Sequence, residues 1–160
     1  MIDNLILDVD GVLTTGHFIY SIDGKTHKVF GAHDKDGLKL IAPFIKSISF
    51  ITADETGFDI SYARICKDWG YDTLSLVKEG DRLKWIKDRF DIDRVAYIGD
   101  GIHDAPILKK ARLGIAPKNA RIEARKAADY VTPSRSGEGA VLDACIFIVS
   151  MIDGDRNNAI

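Results

Sequence analysis

Five short apolar runs, at residues 5–7, 48–51, 73–77, 95–98 and 114–116, recur along the chain with stretches of helical periodicity between them. Strands that alternate with helices predict a parallel sheet covered on both faces. The helical stretches are expected at 37–45, 58–69, 82–90, 104–111, 119–127 and 140–151. In the third of them Leu83, Ile86 and Phe90 make an i, i+3, i+7 stripe with charges opposite. The fold class that follows is α/β, a doubly wound, Rossmann-like, mostly parallel sheet. At 160 residues the chain reads as one domain over 1–160, a size at which a single core buries roughly two-thirds of the unfolded surface.

One insertion, at about 16–30, breaks the alternation. His17-Phe18-Ile19-Tyr20-Ser21-Ile22 and residues 25–30 flank Asp23-Gly24, a two-residue hairpin signal. This hairpin is too small to be a cap domain. An isolated ribbon is marginal in water, and the apolar residues Phe18, Ile19, Tyr20, Ile22, Val29 and Phe30 predict that it packs on a neighbouring subunit. The polar tail, 153–160, is expected to be frayed or docked on a partner.

With 22 basic against 24 acidic side chains the formal charge is −2, and the positive residues are scattered, so nucleic acid is not an expected partner. The start, Met1-Ile2-Asp3-Asn4, has no basic region ahead of its apolar stretch. The longest apolar run, near 145–149, is far below the ~20 residues of a membrane span. A cytoplasmic protein without a membrane partner is expected. Cys66 and Cys145 fall in apolar helical pattern away from any histidine and read as buried free thiols.

The chemistry is concentrated at strand ends. Asp8-Val9-Asp10-Gly11-Val12 follows the apolar run Leu5-Ile6-Leu7, which sets two carboxylates where a buried strand gives way to a glycine turn. Open α/β sheets form their crevices outside the carboxyl ends of the strands. Thr52, Lys78 and Asp100 fall at such ends too, the last inside Gly99-Asp100-Gly101-Ile102-His103-Asp104. A carboxylate that attacks an anionic phosphate needs a metal ion and a cation to screen the approach. Asp8 is the expected nucleophile. Asp100 and Asp8 are expected to hold Mg2+, and Asp104 to complete the metal shell directly or through water. Asp10 is the expected proton carrier, Thr52 a hydroxyl donor and Lys78 the positive charge. Arg82 and Lys84 compete with Lys78 for that role; Lys78 is preferred because it directly follows the strand run. His33 and His103 are expected at the rim, His33 as a substrate contact.

The segments Leu7-Asp8-Val9-Asp10-Gly11-Val12-Leu13-Thr14, Ile51-Thr52, Lys78 and Gly99-Asp100-Gly101-Ile102-His103-Asp104 resemble the four motifs of the haloacid dehalogenase superfamily. More narrowly the chain is similar to the minimal-cap branch that contains the octulosonate-phosphate and nonulosonate-phosphate phosphatases. The hairpin, the string Phe30-Gly31-Ala32-His33-Asp34-Lys35-Asp36-Gly37-Leu38 and the late Gly137-Glu138-Gly139-Ala140-Val141 carry that likeness. The resemblance implies phosphomonoester hydrolysis through an aspartyl phosphate, a sugar-acid phosphate as substrate, and a homotetramer whose hairpins and tails cover neighbouring sites. It also implies that the main-chain carbonyl of Asp10 binds the metal, and that Thr52, Ala53, Lys78 and His33 meet the substrate. Similar phosphatases carry Gly-Arg after the threonine and an arginine between the late glycines; this chain has Ala53-Asp54 and Glu138. Two other classes compete: a phosphorylated signalling receiver, and a non-catalytic oligomerisation module of the same fold. A receiver lacks the hairpin, and a scaffold has no use for four converging carboxylates.

Overall fold

The computed structural model describes residues 1–157. In chain order its first half comprises β1 (Asn4–Asp8), β2 (Thr14–Ser21), β3 (Gly24–Phe30), α1 (Asp34–Ile41), β4 (Ser47–Thr52), α2 (Phe58–Tyr62) and β5 (Leu74–Leu76). The second half comprises α3 (Arg82–Lys87), β6 (Val95–Ile98), α4 (Ala105–Leu108), β7 (Leu113–Ala116), α5 (Ile122–Ala127), β8 (Tyr130–Val131) and α6 (Ala140–Asn157). Six strands form one parallel sheet in the order β5-β4-β1-β6-β7-β8. β1 is central, with Asp8 opposite Ile51 of β4 and Leu7 opposite Ile98 of β6.

The alternation of side chains along each strand divides the core into two layers. Leu5 and Leu7, Ile48 and Phe50, Ala96 and Ile98, with Leu113 and Ile115, face one side and pack with Leu38 and Ile41 of α1 and Val141 to Ile152 of α6. Ile6, Ile51, Val95 and Tyr97 face the other and pack with Ile86 of α3, Ile107 and Leu108 of α4 and Ala124 of α5. Each fully buried Leu or Ile stabilises the fold by roughly 1.5–3 kcal/mol, so both faces of β1 hold it in place. Asp8, two residues beyond Ile6, continues the face that α3 covers.

Several local details depart from the expected elements. Pro43 ends α1 and turns residues Ala42–Phe44 into a 3-10 turn. The helix expected at 58–69 changes from α geometry to the wider π form over Ala63–Asp68. β8 is a strand of two residues, too short to carry a periodic signal. The expected frayed tail is corrected in part: α6 continues through Asn157, and residues 158–160 lie outside the described residues. Among the described residues no helix is long and apolar enough to cross a membrane. Cys66 and Cys145 are free, the second buried and the first partly so.

β2 and β3 form a separate antiparallel ribbon. Its register shifts twice, between Thr14 and Phe18 and again between Ile19 and Tyr20; at the second shift Ile19 pairs with His27 but Tyr20 pairs with Lys25, so Thr26 is an extra residue. The Thr26 hydroxyl donates to the Ile19 carbonyl at 2.9 Å across this bulge. A bulge re-aims the side chains beyond it. The expectation that the ribbon packs on a neighbour rather than on its own domain is corrected for its inner side: Lys28 and Lys25 reach side chains of their own chain. Ile19, Tyr20 and Ile22 remain exposed on the outside.

Candidate active site

The turn after β1 is held from within. The Val9 carbonyl accepts from the backbone N–H groups of Val12, Leu13 and Thr14, and the Thr14 hydroxyl accepts from those of Gly11 and Gly16. Gly11 lies at φ +84, and a Cβ there would fall 2.2 Å from an Asp100 carboxylate oxygen. Only glycine combines that backbone with so close an approach.

Asp8, Asp100 and Asp104 can each offer one oxygen within 4.8 Å of the others. Arg82, the first residue of α3, is buried against them. Its Nη1 donates to Asp8 Oδ2 at 2.9 Å and to Asp104 Oδ1 at 2.7 Å, and its Nη2 donates to Asp8 Oδ1 at 3.1 Å. Asp104 also accepts from the Tyr97 hydroxyl and from the backbone N–H groups of Asp100 and Gly101. The four donors fill the lone-pair directions of that carboxylate and lock the loop after β6.

Asp10 stands across the same cavity. Its Oδ2 accepts from the Thr52 hydroxyl at 2.8 Å and from Lys28 Nζ at 3.1 Å. Lys28, buried, also pairs with Asp54 Oδ2 at 2.8 Å and donates to the Ser61 hydroxyl at 2.9 Å. Lys25 closes the chain of charges at 2.5 Å from Asp54 Oδ1, with its ammonium 3.8 Å from the centre of the Phe18 ring. A cavity of about 450 Å³ opens beside these groups, with Asp8, Asp10, Ala53, Asp54 and Arg82 in its wall.

The charges are unequal on the two sides. Asp10 and Asp54 are matched by Lys25 and Lys28, whereas Asp8, Asp100 and Asp104 share Arg82 alone. Burial, then the Asp104 and Asp100 charges, push the Asp8 carboxyl well above its usual range while Arg82 pulls it back. Burial and the neighbouring Asp104 push Asp100 up to about 7. Burial opposes the charge on Arg82, but Asp8, Tyr97 and Asp104 outweigh it and hold the guanidinium above its ordinary value. Burial would also raise Asp54, yet its bonds from Lys25 and Lys28 hold it at about 2. Three carboxylates under one arginine lack two positive charges, and their donor atoms are all oxygen. That set fits a hard dication.

Of the residues singled out in the sequence, the structure brings Asp8, Asp10, Thr52, Ala53, Asp100 and Asp104 together. It does not bring Lys78 or His33 to them. Lys78 is exposed and outside the cavity wall, because the turn Glu79–Asp81 carries the chain past the site before α3 begins and aims Arg82 inward. His33 is exposed at the start of α1 and also outside the wall, while His103 lines it. Lys25 and Lys28 were not legible as site residues, since their odd spacing on a strand predicts opposite faces and only the bulge at Thr26 overrides that.

Fold and site together define a metal-assisted hydrolase built on carboxylates at the ends of parallel strands. The family model for haloacid dehalogenase-like hydrolases matches residues 80–144. The 3-deoxy-D-manno-octulosonate 8-phosphate phosphatase of Escherichia coli is 31% identical over 147 residues, which takes in 88% of this chain and 76% of that protein. The enzyme of that name from Moraxella catarrhalis, solved with magnesium, phosphate and a KDO molecule, superposes with a TM-score of 0.80 at 25% identity, covering 99% of this chain and 94% of its own. The cobalt-bound form of the Haemophilus influenzae phosphatase gives 0.79 at 26% identity, covering 93% and 88%. The chain belongs to the haloacid dehalogenase-like hydrolases, as a phosphatase of the branch that holds these octulosonate-phosphate enzymes.

Proposed function

We propose that the protein is a magnesium-dependent phosphomonoester hydrolase that acts on a small phosphorylated sugar through an aspartyl phosphate on Asp8. The observation that carries this reading is the convergence of Asp8, Asp100 and Asp104 on one arginine, short of charge by a dication. Asp8, the main-chain carbonyl of Asp10 and Asp100, with Asp104 behind them, would hold magnesium, which would supply the neutralisation that lets one anion attack another. An Asp8 oxygen attacks phosphorus as the ester bond to the leaving oxygen breaks, and Asp10 gives that oxygen its proton. Water then attacks the phosphorus of the aspartyl phosphate and gives a proton back to Asp10, which frees inorganic phosphate and Asp8.

Thr52 and Lys28 hold the Asp10 side chain in place, as the acid of the first half-reaction and as the carboxylate that takes a proton from water in the second. Arg82 takes the role expected of Lys78, beside the nucleophile where negative charge gathers. The names of the relatives make an octulosonate ester the reference substrate for a panel, and the family resemblance adds a nonulosonate ester beside it. The reading includes a homotetramer in the cytoplasm, supported for the assembly by the exposed apolar outer side of the hairpin.

The test is phosphate release with magnesium from sugar-acid, sugar and nucleotide monophosphates and a nitrophenyl ester, for the wild type and Asp8→Asn. Magnesium-dependent release that disappears in the variant is expected. Unchanged release in a folded Asp8→Asn protein overturns the mechanism, and no release from any ester by the wild type turns the reading to a non-catalytic oligomerisation module.

A further inference from the structure

Lys28 belongs to a ribbon whose other face is open to solvent, yet its side chain is 0% exposed. An ammonium taken out of water needs each of its three protons matched. Three groups of its own chain meet them: the Asp10 carboxylate at 2.8 and 3.1 Å, Asp54 Oδ2 at 2.8 Å and the Ser61 hydroxyl at 2.9 Å. No proton is left for a phosphate, a leaving group or a neighbouring subunit. Lys28 is therefore not a substrate contact, and a neighbour that covers the cavity leaves these bonds as they are.

Fastening the ribbon to its own domain takes only Asp54 and Ser61. The contact with Asp10 has a different consequence. Asp10 Oδ1 is buried, with the Lys28 ammonium 2.8 Å away. Oδ2 accepts from Thr52 at 2.8 Å, lies farther from Lys28 at 3.1 Å, and is the oxygen left to face the cavity. Thr52 alone would let the carboxyl pivot about one bond, whereas Lys28 on the inner oxygen holds both ends.

We propose that Lys28 is a positioning residue for the proton transfers, which holds Asp10 Oδ1 inward and so keeps Oδ2 aimed at the leaving oxygen. The inference rests on the phosphatase reading above and deepens it. In the first half-reaction an Asp8 oxygen bonds to phosphorus, the bond from phosphorus to the leaving oxygen breaks, and the proton on Oδ2 passes to that oxygen. In the second, a water oxygen bonds to phosphorus, the bond to Asp8 breaks, and one proton of that water returns to Oδ2. Lys28 keeps its own protons throughout. Asp54 supplies its counter-charge, so the ammonium holds its place whether Asp10 carries a proton or has given it up.

The test uses the full chain with magnesium and three esters. Nitrophenolate leaves without a proton; the alkoxides of benzyl phosphate and of the octulosonate ester do not. Lys28→Met removes the ammonium at similar length. Its kcat/KM, which reads the steps up to loss of the leaving group, should fall about ten- to a hundredfold on the two alkyl esters and less than about threefold on nitrophenyl phosphate. Lys28→Met combined with Asp54→Asn also removes the acid that the first change strands. It should show the same split, and it decides the matter if the single variant does not fold. Magnesium affinity by calorimetry should be no weaker in either variant, because Lys28 bonds to none of Asp8, Asp100 and Asp104.

An equal loss on all three esters, or no loss, overturns the assignment. So does weaker magnesium binding in a folded variant, or failure of both variants to fold, which makes Lys28 a fastening of the ribbon alone. A wild type that hydrolyses nitrophenyl phosphate and neither alkyl ester overturns it too, since there is then no working proton carrier to position. Failure to hydrolyse any ester, nitrophenyl phosphate included, removes the phosphatase reading and this inference together.

Discussion

Arg82→Met separates the roles of the two rival cations and can be sized from the structure. The guanidinium makes three charge-assisted bonds, two to Asp8 and one to Asp104, at 2.7–3.1 Å, and its side chain is 6% exposed. Removing it leaves Asp8 with only the Val9 backbone N–H, while Asp104 keeps Tyr97 and two backbone donors. Breaking a buried pair from one side costs about 3–5 kcal/mol. For a chain of this length each kcal/mol lowers Tm by roughly 2–4 °C, so without magnesium the variant should melt about 6–20 °C below wild type. Magnesium restores part of the missing charge, so the rise in Tm on adding it should be larger in Arg82→Met than in wild type. Turnover should fall about a hundred- to a thousandfold, as for a lost transition-state donor. Lys78→Met, at an exposed residue off the cavity, should change stability by no more than ~0.5 kcal/mol. Thermal melts with and without magnesium read all of this. A metal-free Arg82→Met that melts with the wild type, with an equal magnesium shift, refutes the charge-balance argument.

Magnesium affinity should follow the ionisation of Asp100. Burial and Asp104 push its carboxyl up to about 7, and a proton competes with the metal below that, so affinity should fall up to tenfold per unit as the pH drops from 7; calorimetry that finds it flat from pH 5.5 to 8 contradicts the cluster as the metal site. Gly11→Ala forces a Cβ into Asp100 and strains a left-handed turn, with a stability loss of about 1–2 kcal/mol. Its magnesium affinity should drop by at least tenfold, and wild-type affinity in a folded variant would show that Asp100 is not needed there. Asp34 is buried beside the start of α6, where its Oδ1 accepts from the Val141 backbone N–H, and burial raises its carboxyl from 3.8 to about 6. The folded state then holds this proton more tightly than the unfolded one, so the contribution is full below the ordinary value and is lost as the pH rises from about 4 to 6. Asp34→Asn should gain on wild type across that window, by up to about 3 kcal/mol, and urea midpoints that differ by the same amount at pH 4 and pH 7 would count against it.

The sheet was legible because β1, β4 and β6 are buried on both faces and read as short, mainly apolar runs, broken only by Ser49 in β4. The carboxylates were legible because Asp8, Asp10 and Asp100 follow such runs, in places where a structural role explains them poorly. Of the cations, Arg82 was legible only as a rival to Lys78, and Lys25 and Lys28 were not legible at all. Arg82 reaches the cluster only because a 3-10 turn separates β5 from α3, and three residues of turn cannot be told from the start of a helix by periodicity. Lys25 and Lys28 needed the bulge at Thr26, a single extra residue that leaves the pattern of a hairpin intact while reversing which side its lysines face. β8 earned no signal because two residues have no period.

The central position of β1 also sets the order in which the site can come into being. Asp8 and Asp10 leave the ribosome early, and Lys28 and Asp54 follow soon after. Arg82, Asp100 and Asp104 belong to the later part of the chain, and β1 gains its second sheet neighbour only when Val95–Ile98 has been made. A nascent chain cut short before that point therefore carries Asp8 on a strand open along one edge, with its acid cluster incomplete. Pairing at so long a sequence separation is slow to form, so the acid cluster around Asp8 closes as one of the last events of folding.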